Sequence, residues 1–425
     1  MAFIEQVRAI EVLDSRGRPT VKATVRLAGG AVGCASVPSG ASTGSAEAVE
    51  LRDNDPKRYG DLGCRRAVEN VNSEIAGALV GQAIDGQVQL DRTMIDLDGT
   101  PSKARLGANA ILVVSIAFAR ACAVASRTPL YEHFARLVGR QANSLPRLTV
   151  NLFSGGKHAG GQVEFQDILV VPTAATSIDD GLAVVDAVYR AAERLIASKY
   201  GMRSLKADEG GLAPPFKSVE DMLADARQAI ELGGYELGRE VALAVDVAST
   251  HFHRDGRYHI GSAALSSDQM IERLAKWVDE FKIVSLEDGL SEEDWNHWPS
   301  LRLRLSGRAL TLGDDFLCTN PQRIQRAIKS NAADALLLKV NQIGTLTEAA
   351  EALNLAKSAD WRVTISARSG ETEDDWLADL AVGWGGDQIK VGSIRQSERL
   401  AKYNRLLEIE QATRFAVTEW PRQPT

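Results

Sequence analysis

The sequence predicts an α/β protein of two domains, an N-terminal α+β domain made of a meander and helices, followed by a modified (β/α)8 TIM-like barrel. Three observations predict it. The first 37 residues alternate apolar and polar positions, helical periodicity then dominates to about residue 138, and short apolar runs alternate with amphipathic stretches from residue 148 onward. A chain of 425 residues is long enough for both domains.

The N-terminal region is typical of an antiparallel meander, because "FIEQVRAIEVL", "TVKATVRLAG" and "AVGCASV" are separated by the turn sequences "DSRGRP" and "GG". The stretch "ANAILVVSIAFARACAVAS" at 108–126 is interrupted by Asn109 and Arg120, so we expect a buried core helix rather than a membrane span. The polar "GRQANSLPRL" marks the predicted boundary, which gives domains at 1–138 and 139–425.

Eight apolar runs follow this boundary: "LTVNLF", "DILVVP", "VALAVDVA", "IVSLED", "RALTLGDD", "DALLLKVN", "RVTISARS" and "QIKVGS". Predicted helices between or after them include 267–281, 320–330, 344–357, 371–381 and 397–411. Runs joined mainly by helices predict a parallel barrel. The connection "SGGKHAGGQVE" is too short for a crossover helix, so a hairpin is expected between the first two runs.

The composition excludes several classes of protein. A net charge of −7 argues against a general nucleic-acid binder, and no basic region followed by an apolar run begins the chain. The four cysteines are scattered without the spacing of a metal site or a disulfide framework, which favours a reducing compartment. We therefore expect a cytoplasmic protein that binds neither nucleic acid nor membrane.

Charged residues end most of the barrel runs, where a barrel carries its active site. They are Asp246, Glu287 with Asp288, Asp314 with Asp315, Lys339, Arg368 with Ser369, and Lys390. Three carboxylates from successive strands suit Mg²⁺, which prefers hard oxygen ligands. Each one alone could equally cap the helix that follows it. Metal binding is favoured for the three together, because unpaired carboxylates at one mouth would repel one another.

The two lysines lie in otherwise apolar runs. Desolvation and nearby positive charge would depress the pKa of Lys339 or Lys390 and allow it to act as a base, whereas pairing with a neighbouring carboxylate is the simpler alternative. Three loops carry weaker signals, namely "KADEGGLAPP" with Glu209, "GGKHAGG" with His158, and the Gly and Ser loop "VPSGASTG" with Ser42.

Separated blocks of the sequence together resemble the enolase (phosphopyruvate hydratase) family. They are "LDSRGRPTV", "VPSGASTG", "LGANAIL", "DEGGLAP", "DVAS", "LLLKVNQIGTL", "RSGETED" and "SERLAK", and they run nearly from end to end. The resemblance implies a barrel whose first strands include an antiparallel pair, homodimers or dimer-based assemblies, and two Mg²⁺ ions, the second of which arrives with the substrate. The expected partner is a small phosphorylated three-carbon acid or a phosphonate analogue.

The resemblance also implies a role for each matching residue. Asp246, Glu287 and Asp314 match the ligands of the tighter Mg²⁺, and Ser42 matches a ligand of the second ion. Lys339 matches the base that removes the proton next to the substrate carboxylate, and Lys390 contacts that carboxylate. Glu209 matches the acid that assists departure of the β-hydroxyl, His158 lies in the loop that closes over the site, and Arg368 with Ser369 match the phosphate-binding pair.

The sequence departs from the family in four places. Ala367 replaces a histidine and Asp167 replaces a glutamate, both near the leaving group, while Gly289 replaces a proline. The segment 383–399 also differs, including Asp387 and Arg395.

Three hypotheses follow from these departures. The first is an enolase of altered efficiency that interconverts 2-phosphoglycerate and phosphoenolpyruvate. The second is a paralogue resembling the carboxyphosphonoenolpyruvate synthases of phosphonate and phosphinate antibiotic biosynthesis. The third, a non-catalytic binding protein, fits poorly because the lysines and metal carboxylates are all present. The first needs the fewest assumptions.

Overall fold

The computed structural model describes residues 1–41, 44–202 and 205–420. Its strands are β1 Ala2–Leu13, β2 Pro19–Leu27, β3 Val32–Ser36, β4 Ala83–Ile84, β5 Ser144–Leu145, β6 Arg147–Ser154, β7 Asp167–Val171, β8 Ala242–Asp246, β9 His253–Arg254, β10 Arg257–Ile260, β11 Ala263–Leu265, β12 Ile283–Glu287, β13 Leu310–Gly313, β14 Ala335–Leu338, β15 Arg362–Ser366, β16 Gln388–Gly392 and β17 Ala416–Val417.

The α-helices are α1 Arg65–Asn70, α2 Ala76–Leu79, α3 Gln87–Asp98, α4 Ala108–Ala125, α5 Leu130–Leu137, α6 Ile178–Tyr200, α7 Val219–Leu232, α8 Ser267–Phe281, α9 Trp298–Leu305, α10 Pro321–Ser330, α11 Val340–Ile343, α12 Leu346–Ser358, α13 Trp376–Gly383 and α14 Ser397–Thr413. A π-helical turn at Val71–Ile75 joins α1 to α2, and 3₁₀ turns lie at Tyr59–Asp61, Gly156–His158 and Ser249–Phe252.

The N-terminal domain is the predicted antiparallel meander. Its sheet has the order β3-β2-β1-β4, and the long helix α4 packs against it. Gly33 permits this contact, because a Cβ at that position would lie 2.1 Å from the carbonyl oxygen of Ala117 in α4. Helix α4 is long and apolar enough to cross a membrane, but 78% of it is buried, as expected of a core helix.

The second domain is a closed barrel of eight strands in the order β6-β7-β8-β12-β13-β14-β15-β16, which confirms the predicted fold. The predicted hairpin is also confirmed, since β6 and β7 pair antiparallel. Strand β7 pairs antiparallel with β8 as well, so β7 alone runs against the other seven. Both α6 and α7 lie between β7 and β8, and the chain returns to the end of β7, where Val171 pairs with Ala242 at the start of β8.

One helix begins later than the sequence predicts. We expected a helix over 371–381, but α13 spans Trp376–Gly383. The residues before it bind the N-terminal domain instead, because the carbonyl of Glu371 accepts from the Ser15 amide at 2.7 Å and the carboxylate of Asp374 accepts from the Ser36 amide at 2.7 Å. These contacts use backbone and side-chain groups that a first helical turn would need.

The N-terminal domain lies over the mouth of the barrel. Ser39, just after β3, exchanges two backbone hydrogen bonds with Gly370 at 2.8 and 2.9 Å. Gly370 follows β15 by four residues, so this contact places the loop after β3 next to the ends of the barrel strands. The boundary at 138/139 stays a prediction.

Candidate active site

The predicted charged residues lie at the C-terminal ends of the barrel strands. Asp246 and Glu287 are the last residues of β8 and β12, Asp314 and Lys339 directly follow β13 and β14, and Lys390 lies within β16. Asp246, Glu287, Asp314 and Lys390 are at most 5% exposed. Neighbouring parallel strands end at one rim, which is how residues from five strands come to share one site.

Each lysine contacts carboxylates from other strands. The ammonium of Lys390 lies 2.7 and 2.9 Å from the two carboxylate oxygens of Glu287 and 3.1 Å from Oδ2 of Asp246. The ammonium of Lys339 lies 2.5 Å from Oδ2 of Asp314. The site is therefore a buried network of alternating charges rather than a set of isolated ions.

The expectation of a depressed lysine pKa is wrong for this arrangement. Burial opposes the charged form of both lysines, but the facing carboxylates outweigh it. Asp314 is the main neighbour that raises the pKa of Lys339, and Asp246 followed by Glu287 raises the pKa of Lys390 well above its ordinary value. Both side chains carry a proton in this state.

The acidic ligand set chemically fits a divalent cation. Burial, followed by the charge of Asp246, raises the pKa of Glu287 well above its ordinary value, so this part of the network is short of positive charge. The carboxylates of Asp246, Glu287 and Asp314 do not cap the helices or turns that follow their strands. Asn320, not Asp314, caps α10, and no side chain caps the turn after β8 or helix α9. Three buried carboxylates that face only two lysine ammonium groups are a suitable donor set for Mg²⁺.

Among the described residues, two clusters each bring three ligand atoms within 4.8 Å of one another. One contains Asp288, Asp314 and Asp315, but the carboxylate of Asp288 already accepts the backbone N–H groups of residues 314 and 315 at 2.9 and 2.8 Å. The other contains His158, Asp167 and Glu209.

His158 lies at the centre of this second cluster. Its Nδ1 is 2.7 Å from Oδ2 of Asp167, and its Nε2 is 3.1 Å from Oγ of Ser369 and 3.8 Å from Oε1 of Glu209. The hydroxyl of Ser369 in turn donates to Glu209 over 3.3 Å. Asp167 also accepts from Asn151 and Ser154 at 2.6 Å each, which fixes its carboxylate.

The protonation of this cluster follows from its contacts. Burial disfavours the imidazolium of His158, but Asp167 and then Glu209 outweigh burial and raise the pKa of His158 to about 9. Burial likewise opposes ionisation of Glu209, yet His158 and then Arg399 lower the pKa of Glu209 to about 2. At neutral pH the proton of the pair is therefore on His158, although the resemblance implied that Glu209 is the acid.

Arg368 and Ser369 follow β15, as predicted. The guanidinium of Arg368 binds both carboxylate oxygens of Glu47 at 3.1 and 3.2 Å and the side-chain oxygen of Asn341 at 2.8 Å. Arg399 donates to the carbonyls of Arg368 and Ser369 at 2.7 and 2.6 Å, which fixes the backbone of the pair. An arginine fork that binds a carboxylate in this way suits a phosphate oxyanion equally well.

Several contacts could not be found by examining the strand ends. Glu47 comes from the other domain, and Gln166 and Gln342 donate to Asp246 and Asp314 at 3.1 and 2.8 Å. Arg399 lies in the block "SERLAK", which marked the resemblance but carried no assigned role. The predicted ligand Ser42 lies outside the described residues.

The departures from the family occupy different environments. Ala367 is 6% exposed and lines a cavity of about 10 Å³ together with His158, Glu209, Lys339 and Lys390. That volume holds about one water molecule, so substrate entry requires the residues over it to move.

Gly289 and Asp387 lie in structural surroundings away from the cavity. A Cβ at Gly289 would lie 2.8 Å from Cδ2 of Leu286, so the position is tightly packed. Asp387 pairs with Lys357 and Arg362 at 2.5 and 2.8 Å and accepts from the amide of Val363 at 2.8 Å, away from the cavity. It holds the start of β16 rather than any reacting group.

Comparison with protein families agrees with this architecture. The family model described as "Enolase, N-terminal domain" matches residues 4–134, and the one described as "Enolase, C-terminal TIM barrel domain" matches residues 142–418. The two matches cover nearly the whole chain, and the second includes the predicted lysines and carboxylates of the site. The chain belongs to the enolase family.

Proposed function

We propose that the protein is a Mg²⁺-dependent lyase that removes the proton next to the carboxylate of 2-phosphoglycerate and eliminates the β-hydroxyl to give phosphoenolpyruvate. The observation that carries this proposal is a buried cavity whose lining brings together Lys339, Lys390, Arg368, Ser369, Glu209 and His158. A base, a carboxylate partner, a phosphate clamp and a leaving-group donor are the four functions that this reaction needs.

Each side chain has a defined task in this proposal. Lys339 takes the α-proton, Lys390 contacts the substrate carboxylate and its enolate, and Arg368 with Ser369 bind the phosphate. Bound Mg²⁺, held by Asp246, Glu287 and Asp314, would neutralise the carboxylates that now raise the lysine pKa values and stabilise negative charge on the substrate carboxylate. A second ion that arrives with substrate, with Ser42 as ligand, is part of the same proposal.

The leaving group would meet the cluster of His158, Asp167 and Glu209. His158 holds the proton of that cluster, and Asp167 orients its ring by accepting from Nδ1 at 2.7 Å. Protonation of the departing hydroxyl by the His158–Glu209 pair makes the loss of water easier.

A second candidate function rests on Ala367. This small residue faces the cavity where the family has an imidazole, so the wall beside His158 carries a methyl group instead of a polar ring. The smaller and less polar side chain at this position favours a substrate with a bulkier phosphorus group, such as the carboxyphosphono analogue of phosphoenolpyruvate. In that case the metal carboxylates, Lys339 and the Arg368–Ser369 clamp keep the same tasks.

An assay with 2-phosphoglycerate and Mg²⁺ separates the two candidates. Absorbance of phosphoenolpyruvate is followed for the wild type and for Ala367→His, which restores a polar group beside the leaving hydroxyl. We expect measurable wild-type turnover and a rise of about 100-fold in the variant, the lower end of the range for one acid–base group. Negligible wild-type turnover with retained phosphoenolpyruvate binding would favour the second candidate. Absence of both turnover and binding would favour a non-catalytic protein.

The oligomer is part of the proposal. The family resemblance implies a homodimer or a dimer-based assembly, and the N-terminal domain exposes Ile10 and Leu13 of β1 by 51% and 54%, which supplies apolar surface for a partner copy. Sedimentation equilibrium should give twice the 45.8 kDa chain mass, whereas the mass of one chain would rule the dimer out.

A further inference from the structure

The segment after Lys390 contacts the loop that carries Glu209. Ser393 donates its backbone N–H to the carbonyl oxygen of Glu209 at 2.8 Å. Gly392 has φ +110°, and a Cβ there would lie 2.9 Å from the same carbonyl oxygen. This close approach holds the backbone of Glu209 against the end of β16, so the placement of Glu209 depends on residues 392–396.

The other side of the Glu209 loop contacts α6. Tyr189 is fully buried, and its hydroxyl donates to the carbonyl oxygen of Gly210 at 3.1 Å. Gly210 is the residue directly after Glu209. Two successive carbonyl groups of this loop are therefore held by two different elements, the segment after β16 and helix α6.

Arg395 connects these two elements. Its guanidinium carbon lies 4.8 Å from the centroid of the Tyr189 ring, and its Nη2 lies 3.4 Å from Glu193 and 3.7 Å from Asp186 on the same helix. Its side chain is 29% exposed, a partly desolvated setting in which cation–π contacts gain strength. Arg395 thus ties the segment that follows Lys390 to the tyrosine that holds Gly210.

We propose that Arg395 is a positioning residue that acts through Tyr189 to hold Glu209 at the leaving-group side of the cavity. This inference rests on the proposed function. Arg395 has no contact with the reacting atoms, and it is one of the positions at which the chain departs from its family. The contacts of Arg395 with Tyr189 and of Tyr189 with Gly210 restrict the motion of this glycine-rich loop. They therefore keep the carboxylate of Glu209 in one position.

The test compares two steps of the reaction in three variants. Arg395→Gln removes the cation, Tyr189→Phe removes the hydroxyl that donates to Gly210 and keeps the ring, and Arg395→Lys restores a cation. Lys339 catalyses exchange of the α-proton of 2-phosphoglycerate with deuterium from solvent, whereas elimination also needs Glu209. In the first two variants we expect kcat for elimination to fall about tenfold, with unchanged KM and proton exchange within twofold of wild type, because a displacement of about 1 Å can cost up to about 100-fold and the loop keeps its other contacts. Arg395→Lys should recover most of kcat.

A second measurement needs no substrate turnover. Hydrogen–deuterium exchange of the peptide covering residues 205–213 should speed up about tenfold in Arg395→Gln and in Tyr189→Phe, since a lost tether lowers the cost of local opening. Arg304→Gln, which breaks the exposed pair of α9 with Glu272, is the matched control and should change neither measurement.

The outcomes separate this inference from the proposed function. If the wild-type protein neither exchanges the α-proton of 2-phosphoglycerate nor eliminates water, the proposed function fails. Hydrogen–deuterium exchange of the backbone amides of residues 205–213 still decides whether Arg395 holds the loop. If exchange of that peptide is unchanged in Arg395→Gln, the inference is wrong. Equal losses of proton exchange and elimination would also overturn it, because they would indicate general damage to the site.

Discussion

Lys339→Ala should abolish α-proton exchange and phosphoenolpyruvate formation together, with a loss of roughly 10⁴-fold, the upper range for a positioned base. Lys339 is the base in the proposed reaction, and its ammonium lies 2.5 Å from Asp314 at the end of the neighbouring strand. No other described lysine lines the cavity except Lys390, which is held by Glu287 and Asp246 and is not free to replace it. Deuterium incorporation measured by NMR reports the proton step directly.

Two further variants make the result specific. Lys339→Met keeps the length of the side chain without the amine and should lose as much activity as Lys339→Ala. Lys357→Met breaks a lysine–aspartate pair of similar geometry, with Asp387 before β16, and should lower stability by at most a few kcal/mol without affecting proton exchange. Retained exchange in Lys339→Ala would refute the assignment of the base.

The sequence predicted the barrel and the rim of its site because one rule applies to most of the strands. Most of the apolar runs end in a charged residue, and parallel strands of a barrel end at one rim. Asp246, Glu287 and Asp314 therefore needed no knowledge of packing to be selected. Strand β7 runs against the other strands, and its reversal was predicted from a local pattern, the short glycine-rich connection that follows β6.

Other features depend on contacts between distant parts of the chain. Glu47 binds Arg368 across 321 positions, and no periodicity in either segment indicates that pairing. The delayed start of α13 follows from the hold that the N-terminal domain has on residues 371–374. The pKa values of Lys339 and Lys390 are raised because particular carboxylates face their ammonium groups. That pairing is a property of the folded structure and cannot be read from the sequence.

The same limit applies to the departures from the family. The sequence located Ala367, Asp167 and Arg395 but assigned no contacts to them. The structure shows that Asp167 remains bound to His158 at 2.7 Å despite its shorter side chain, so the loop carrying His158 stays held in place. Ala367, in contrast, has no polar atom with which to replace an imidazole, and this is why it bears most directly on the choice of substrate.

Removal of Mg²⁺ should abolish activity, and its addition should stabilise the folded protein. Three buried carboxylates share the rim, and the pKa of Glu287 is raised by burial and by Asp246, so a cation that binds there relieves an existing cost. At a free concentration of 100 Kd, binding to the folded state alone adds about 2.7 kcal/mol of stability. Thermal unfolding with EDTA and with increasing Mg²⁺ measures this gain without any substrate.

Glu287→Gln identifies the site, because it removes one ligand charge without changing the shape of the side chain. We expect this variant to lose most of the thermal response to Mg²⁺ and nearly all turnover. Glu272→Gln, at an exposed pair with Arg304, should keep both. Calorimetry should show one Mg²⁺ per chain alone and two with 2-phosphoglycerate, and Ser42→Ala should remove only the second. A full thermal response to Mg²⁺ in Glu287→Gln, or turnover in excess EDTA, would contradict the proposed metal site. Either result would mean that the carboxylates of the rim hold no catalytic metal ion and that Lys339 and Lys390 alone balance their negative charge.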